Sequence, residues 1–259
     1  MKRTFSAICL FVLLVVAMSF MQGCRTEKGD NLQVVCILDL TRSIDPESQK
    51  QAFDALKDVV KGLKRGDSLC IIPITSDAAT QAQGNIYRIQ ISKQRKAYDA
   101  DLKEVLLQLE KSLENLQESA QTYNKSDVLG TISIAAEEFS NTSLNGSTKS
   151  NTNKIVIILS DFIQDNSQYN FKKEEKLSNE QSSKELAYKL ADSDAISLCG
   201  TKVYLGLLRS TDMKNLSQKR QMDIKNFWIQ YFNKQGASNV YMSTDGPGKL
   251  SQLFANSNN

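Results

Sequence analysis

Three oxygen-bearing side chains alternate along a short stretch that follows a hydrophobic run. Single residues separate Asp39, Thr41 and Ser43. In an extended loop every second side chain points the same way, so this spacing lets one carboxylate and two hydroxyls converge on one point. Carboxylate and hydroxyl oxygens are hard ligands, which suit Mg²⁺ or Mn²⁺ better than zinc. The sequence therefore predicts a divalent-metal site at this stretch.

Two further oxygen-bearing residues are predicted to reach the same site. Asp161 follows the hydrophobic run 154–159, and Ser126 precedes an amphipathic helix. The carboxyl ends of parallel strands lie at one edge of a sheet, which places Asp161 beside the first loop if both strands are parallel. Thr122 and Thr131 are alternatives to Ser126 as the hydroxyl ligand. With only two carboxylates, the set leaves a divalent ion undercoordinated and able to take another ligand.

A parallel sheet is needed to bring these residues together, and the hydrophobic pattern predicts one. Apolar runs rich in β-branched residues alternate with amphipathic helices, which indicates an α/β protein with a doubly wound, mostly parallel central sheet and helices on both faces. We expect one domain over residues 32–256. The predicted strands are 33–40, 68–75, 86–91 as an edge hairpin partner, 154–159, 201–208 and 239–243. The predicted helices begin after a capping Asp45 and after a capping Ser126-Asp127, span 94–121, 179–191 and 217–234, and include a short one after Gly248.

The longest predicted helix, residues 94–121, carries a leucine stripe. The stripe repeats at steps of four and three residues and consists of Leu102, Leu106, Leu109, Leu113 and Leu116. We expect it to pack on the protein's own sheet, with docking to a partner helix as the alternative. The segment 141–153 contains almost only Asn, Ser, Thr, Gly and Lys, so we expect a mobile surface loop there.

The composition excludes several classes of function. The 259-residue chain has no His, which rules out a Ser-His-Asp triad, a Cys-His pair, a histidine general base and a His-ligated zinc. Its net charge of +3 is too small to indicate nucleic-acid binding. Cys36, Cys70 and Cys199 each adjoin an apolar run, so we expect buried thiols rather than a disulfide framework. No feature indicates a small-molecule cofactor.

Residues 1–23 have the pattern of a signal peptide. Two basic residues precede an apolar run that is short for a membrane span, and Gly23-Cys24 follows it. A small residue before a cysteine at this place resembles the lipobox of bacterial lipoproteins, in which the cysteine is acylated. The resemblance implies a lipid anchor at Cys24, a short tether over 24–31 and an extracytoplasmic location on a bacterial membrane, periplasmic or at the surface. An ordinary signal peptide or an uncleaved signal anchor is the alternative.

The predicted metal loop and the end of a later strand resemble a known family. Asp39-Leu40-Thr41-Arg42-Ser43, a hydroxyl residue opening a later helix, and Ile158-Leu159-Ser160-Asp161 are similar to the metal-ion-dependent adhesion site (MIDAS) of von Willebrand factor type A (VWA) domains. The resemblance covers most of residues 31–256. It implies a Rossmann-like fold and a non-enzymatic protein-binding function.

The family's arrangement implies a role for each of the five residues. Asp39 and Asp161 would hold Mg²⁺ or Mn²⁺ mostly through water. Thr41, Ser43 and Ser126 would coordinate the ion directly. A Glu or Asp carboxylate from a partner protein would complete the coordination.

Three positions depart from the family pattern. Thr41 stands where Ser is more usual and Ser126 where Thr is more usual, and both changes keep the hydroxyl. Phe162 follows the second aspartate where Gly is common, which predicts a reshaped loop. Arg42 projects from the metal loop, where it either steers an acidic partner or is simply solvated.

These observations lead us to expect a membrane-anchored binding module that engages a protein partner through its metal. One alternative is a metal-free envelope scaffold that uses the stripe from Leu102 to Leu116. Another is a phosphoryl-transfer enzyme similar to the haloacid dehalogenases, with Asp39 as its nucleophile. The metal distinguishes them, since the binding module needs it for binding, the enzyme needs it for turnover and the scaffold does not use it.

Overall fold

The computed structural model describes residues 31–91, 98–120, 122–144, 152–194, 196–244, 246–247 and 250. The predicted signal peptide, the lipidation site at Cys24 and most of the predicted tether lie outside these residues, as does nearly all of the predicted C-terminal helix. No helix within the described ranges is long and apolar enough to cross a membrane.

Six strands form one sheet in the order β3-β2-β1-β4-β5-β6. All neighbours pair in parallel except β3, which pairs antiparallel with β2 at one edge. The predicted fold class, a doubly wound and mostly parallel α/β sheet, is confirmed, and so is the antiparallel edge strand. The strands are β1 (Asn31–Leu38), β2 (Ser68–Pro73), β3 (Tyr87–Gln90), β4 (Thr152–Ser160), β5 (Lys202–Leu207) and β6 (Asn239–Ser243).

The described residues also contain seven α-helices. They are α1 (Pro46–Gly62), α2 (Ala78–Gln81), α3 (Tyr98–Ala120), α4 (Val128–Leu144), α5 (Glu180–Asp194), α6 (Thr211–Lys214) and α7 (Gln218–Lys234). The five long helices were predicted. The single-turn helices α2 and α6 were not, because four residues are too few to show a hydrophobic period.

Helices cover both faces of the sheet, and β1 is buried between them. Its alternate residues Val34, Cys36 and Leu38 belong to a core shared with α1 and α3. Val35 and Ile37 point into a second core shared with α4, α5 and α7. This two-sided burial explains why the β1 sequence is a continuous apolar run rather than an alternating one.

The leucine stripe of α3 packs on the protein itself. Leu109, Leu113 and Leu116 are buried in the same core as α1, and Leu102 and Leu106 are half-buried at its margin. The expectation of intramolecular packing is therefore confirmed for the described part of this helix.

Two predictions about the termini of elements need correction. The segment predicted as a loop, 141–153, overlaps two elements, because α4 continues to Leu144 and β4 begins at Thr152. Residues 145–151 lie outside the described residues. Asp45 precedes α1 but does not cap it with its side chain. Its carboxylate instead forms an ion pair with Lys214 at 2.8 Å.

The three cysteines of the predicted domain divide into two kinds. Cys36 and Cys70 are buried as predicted, on opposite faces of the sheet. The prediction that Cys199 is a buried thiol is wrong, because this residue is exposed in the turn before β5 and is disulfide-bonded. β5 starts three residues after the cysteine, so its apolar sequence does not predict whether the preceding turn is buried.

The strand order reverses between β1 and β4 at the centre of the sheet. In doubly wound sheets, ligands bind in the crevice outside the carboxyl ends of the strands at such a switch point. Asp39 directly follows β1, and Asp161 directly follows β4. The fold thus brings the two predicted metal-binding carboxylates to the expected ligand-binding edge.

Candidate metal centre

The loop after β1 folds back on its own carboxylate. Asp39 is completely buried, and its Oδ1 accepts hydrogen bonds from the Thr41 backbone N–H at 3.1 Å and the Thr41 hydroxyl at 2.7 Å. The Ser43 hydroxyl lies 3.3 Å from Thr41 Oγ1. The three alternating side chains therefore converge. Because Thr41 gives its proton to Asp39, the lone pairs of its hydroxyl stay available to a cation.

Backbone pairing fixes this loop to the connection between β5 and α6. The Ser43 carbonyl accepts a hydrogen bond from the Thr211 N–H at 3.0 Å. Ile44 and Ser210 form an antiparallel bridge beside it. The position of the Ser43 hydroxyl is thus set by a segment far away in sequence.

Ser126 reaches the same place from the loop before α4. Its buried Oγ lies 3.4 Å from Thr41 Oγ1. Two backbone hydrogen bonds with Asp165, of 3.1 and 2.8 Å, hold it there. The alternative Thr131 donates its hydroxyl to a backbone carbonyl one turn earlier at 2.7 Å, and the alternative Thr122 is exposed. Of the three hydroxyls, the geometry favours Ser126.

Asp127 anchors the loop that carries this serine. Its Oδ1 accepts hydrogen bonds from the amides of Gln164 and Asn166 at 3.0 and 2.9 Å, and its Oδ2 accepts one from the Ala78 N–H at 3.2 Å. Gly130 leaves room for this carboxylate, since a Cβ there would lie 2.3 Å from Oδ2. One buried side chain therefore joins three connections behind the candidate centre.

Ser160 and Asp161 close the site at the end of β4. The Ser160 hydroxyl donates to Asp39 Oδ2 at 2.7 Å. Asp161 is buried, and its Oδ1 accepts a hydrogen bond from the Ile163 N–H at 3.0 Å. Its Oδ2 has no hydrogen-bond partner among the described residues. An unpartnered buried carboxylate oxygen is costly, and a bound cation would satisfy it.

Phe162 adopts the left-handed backbone conformation, with φ of 62°, at the position where the family commonly has Gly. This region costs a non-glycine residue about 1–2 kcal/mol. Contacts from α7 hold it in place. Trp228 Nε1 donates to the Phe162 carbonyl at 2.9 Å, and the two rings pack with centroids 6.3 Å apart. Phe162 therefore holds a backbone conformation that glycine adopts readily.

The two carboxylates experience a shared, buried environment. Burial raises the pKa of Asp39, against the hydrogen bonds from Thr41 and Ser160, which lower it. Burial, followed by the charge of Asp39, raises the pKa of Asp161 to about 7, against the Ser210 hydroxyl and the Ile163 N–H, which lower it. Neighbouring carboxylates resist ionising together. A divalent cation between them would favour both charged forms.

The side chains present fit a divalent ion of the Mg²⁺ type. Within the described ranges no three His, Cys, Asp or Glu side chains cluster as a metal site, so hydroxyl oxygens must supplement the two carboxylates. Three hydroxyls do so here, from Thr41, Ser43 and Ser126. Such an all-oxygen donor set suits Mg²⁺ and Mn²⁺. The unpartnered oxygen of Asp161 agrees with this fit.

A cleft of about 400 Å³ opens above these side chains. The exposed residues Arg42 and Lys125 line part of its rim. Another part carries Asp165 and Asp212, and Lys172 bridges these two acids at 3.0 and 3.1 Å. The candidate centre is therefore accessible from the surface, although its carboxylates are buried.

Sequence reasoning missed three residues of this site. Ser160 lies within the motif that was singled out, and its hydroxyl next to Asp161 was the available signal. Lys172 lies in an irregular polar segment and Asp212 in the single turn of α6. Only the tertiary structure brings those two together, so no local pattern indicates them.

No protein-family model and no curated protein matches this sequence. Solved structures similar to the chain include von Willebrand factor type A from Catenulispora acidiphila, at 15% identity and a TM-score of 0.39. A second is manganese-loaded TRAP protein from Plasmodium vivax, at 11% identity and a TM-score of 0.35. A third is proximal thread matrix protein 1 from the mussel byssus with a zinc-occupied MIDAS motif, at 12% identity and a TM-score of 0.36. They match 88%, 73% and 90% of this chain, which spans 42%, 65% and 46% of theirs. At these identities the similarity concerns the fold alone.

Proposed function

We propose that this chain is a protein-binding module of the VWA type that depends on a divalent metal. The observation that carries the proposal is that Asp39 bonds Thr41, that Thr41 lies beside Ser43 and Ser126, and that Asp161 lines the same cleft and interacts with the charge of Asp39. Doubly wound sheets bind ligands at this edge. The unpartnered Asp161 Oδ2 and the open cleft support a bound cation that a partner can reach.

Each side chain has a distinct part in the proposed site. Thr41, Ser43 and Ser126 would hold Mg²⁺ or Mn²⁺ directly, and Asp39 and Asp161 would hold it mostly through water. The Thr41 hydroxyl donates to Asp39, which orients its lone pairs away from that carboxylate. The ion would supply a Lewis-acidic position for a Glu or Asp carboxylate of the partner protein. Binding of this kind requires no turnover.

The enzyme alternative is disfavoured by the state of Asp39. A carboxylate nucleophile needs access to its substrate, whereas Asp39 is completely buried. Both of its oxygens accept hydrogen bonds, from Thr41 and Ser160. The scaffold alternative is disfavoured in its original form, because Leu109, Leu113 and Leu116 are buried inside the protein and do not face a partner.

We further propose that Cys24 anchors the module to the outside of a bacterial membrane. The support is the sequence pattern alone, a basic start, an apolar run and a small residue before the cysteine. Radioactive palmitate should label the chain in a bacterial host, and Cys24→Ser should abolish the label. Labelling that persists in the variant would place the acyl group elsewhere, and an unlabelled wild-type chain would contradict the anchor.

Thermal and chemical unfolding with and without metal tests the proposed function. A cation that binds only the folded state, at about a hundred times its dissociation constant, stabilises by about 2.7 kcal/mol. We expect Mg²⁺ or Mn²⁺ to stabilise the EDTA-treated protein in this range. Asp161→Asn should remove most of that stabilisation.

Asp192→Asn is the matched control, because it makes the same chemical change at an ion pair with Lys234 on the surface. This variant should respond to metal as the unaltered protein does. An unaltered protein that gains no stability at saturating Mg²⁺ and Mn²⁺ would contradict the proposed metal site and leave the fold unaffected.

A further inference from the structure

Two cations stand at the rim of the cleft, one on each loop that carries a hydroxyl ligand. Arg42 follows Thr41, and Lys125 precedes Ser126. Because Thr41 Oγ1 and Ser126 Oγ lie 3.4 Å apart, the two loops meet at these hydroxyls. Both cations line the cleft above these hydroxyls and are exposed.

Neither cation has a side-chain partner among the residues that the structure describes. In the part of the chain that the structure describes, Arg42 and Lys125 form no ion pair and no side-chain hydrogen bond. The acids of the rim are paired differently, since Lys172 contacts both Asp165 and Asp212. Lys172 offsets one of the two acidic charges. Arg42 and Lys125, which have no ionic partner among the described residues, therefore exceed the acidic charge that remains at the rim.

This distribution of charge selects for an acidic ligand. An ion balanced by Asp39 and Asp161 adds no net negative charge, so Arg42 and Lys125 keep the cleft positive when the metal is bound. Opposite potentials across an interface accelerate encounter and discriminate among partners. A carboxylate is a matching group, because the planar guanidinium of Arg42 pairs with it through two parallel hydrogen bonds.

We infer that the partner segment carries two carboxylates, one that completes the metal coordination and a second that binds Arg42 and Lys125. The inference rests on the proposed metal-dependent binding and specifies the chemistry of the partner. The partner is an acidic protein segment, and an isolated acid in a neutral segment is a poorer ligand. The metal provides the contact that every carboxylate can make, and the two cations provide the selectivity.

Two fluorescent peptides that differ by one acid test this inference. Both have a glycine-serine backbone with a central Glu, and one carries a second Glu nearby. Anisotropy titrations use the full chain in detergent with Mg²⁺, and in EDTA as the reference. We expect the peptide with two acids to bind about fivefold more tightly, the effect of two exposed ion pairs.

Charge-removing variants assign the preference to particular side chains. Arg42→Gln/Lys125→Gln should bind the two peptides equally, and each single variant should lose part of the preference. Lys103→Gln/Lys111→Gln removes the same charge from exposed positions of α3 and should keep the full preference. Together the variants separate a local contact from the effect of net charge.

The possible failures are distinguishable. Equal, Mg²⁺-dependent binding of both peptides to the unaltered chain would overturn the inference and leave the proposed function standing. Binding of neither peptide would overturn both. A preference that survives in the Arg42 and Lys125 variant, or one that disappears in the α3 variant, would overturn the assignment to these two cations.

Discussion

The loops after β1 and β4 each present a buried aspartate, and they hold it in opposite ways. The first loop is self-contained, because Thr41 donates twice to Asp39 and Ser160 occupies the other oxygen. The second loop depends on the core beneath it, through the contact between Phe162 and Trp228. It also leaves Asp161 Oδ2 without a partner among the described residues. Both oxygens of Asp39 are thus hydrogen-bonded, whereas a cation beside Asp161 would satisfy an oxygen that has no partner among the described residues.

The largest expected effect comes from removing the core support of the second loop. Phe162→Ala should lower the free energy of unfolding by about 4 kcal/mol, because a completely buried ring is lost. Phe162→Gly should lower it by about 1 kcal/mol less than Ala, because glycine adopts the left-handed conformation without strain. Urea unfolding measures both values.

The order of these two variants is the informative result. At a position with negative φ, a glycine variant is usually less stable than the alanine variant. Phe162→Gly is expected to be more stable than Phe162→Ala because φ at this residue is positive. Leu56 in α1 offers the matched control, since Leu56→Gly should be less stable than Leu56→Ala. If Gly is also the worse substitution at residue 162, the backbone there does not have the conformation described.

The second expected effect is that the free energy of unfolding of the metal-free protein depends on pH through Asp161. Folding raises the pKa of Asp161 from its ordinary 3.8 to about 7. The folded chain therefore binds an extra proton between these values, and its stability falls as pH rises through them. In EDTA we expect a loss of about 2–4 kcal/mol between about pH 4 and pH 8, measured by urea unfolding.

Asp161→Asn should flatten this profile, since the amide does not titrate. Saturating Mg²⁺ should also oppose the loss at the upper end, because the ion binds the charged carboxylates. A profile in EDTA that is unchanged by Asp161→Asn would show that another group is responsible.

The third effect compares the two aspartates directly. Asp39→Asn should destabilise the metal-free protein by about 1–3 kcal/mol, because the amide cannot accept hydrogen bonds from both Thr41 and Ser160 with the same geometry. Asp161→Asn should stabilise the metal-free protein at neutral pH, because it removes a like charge beside Asp39. Unfolding in EDTA at fixed pH measures both. Destabilisation of equal size by the two substitutions would contradict the proposed difference between the loops.

The smallest expected effect concerns Lys172, which links the segment after β4 to Asp212 of α6. Lys172→Gln should cost about 0.5–1 kcal/mol, since Lys172 is partly exposed and its ion pairs with Asp165 and Asp212 are screened by solvent. Lys173→Gln changes the neighbouring exposed lysine and should cost less. Added salt should reduce the difference between the two variants. Equal stability of both variants at low salt would show that the bridge contributes nothing.

Much of the sheet and of the site was predictable, because the signals are local. β1 and β4 each contain an apolar run that an aspartate follows within two residues, which indicates buried parallel strands with acids at their carboxyl ends. The alternation of Asp39, Thr41 and Ser43 is likewise local, and the structure brings these side chains together. The metal itself stays a prediction.

Other features were not predictable, because they depend on contacts between distant segments. Nothing near Phe162 in the sequence shows that Trp228 bonds its carbonyl, and nothing near Lys172 shows that Asp212 lies beside it. Asp45 does not cap α1 with its side chain, and its carboxylate pairs instead with Lys214, which is distant in sequence. Local patterns report what a segment prefers, and only packing decides which preference is satisfied.

The contact between Trp228 and the Phe162 carbonyl makes the protein its own spectroscopic probe. Trp228 is the single tryptophan of the chain, and it is completely buried. Its indole N–H is bonded to the residue directly after Asp161. Any displacement of that loop alters the environment of the one fluorophore that dominates the emission. Stopped-flow mixing with Mg²⁺ can therefore follow the kinetics of the loop in real time, without a label and without altering the sequence.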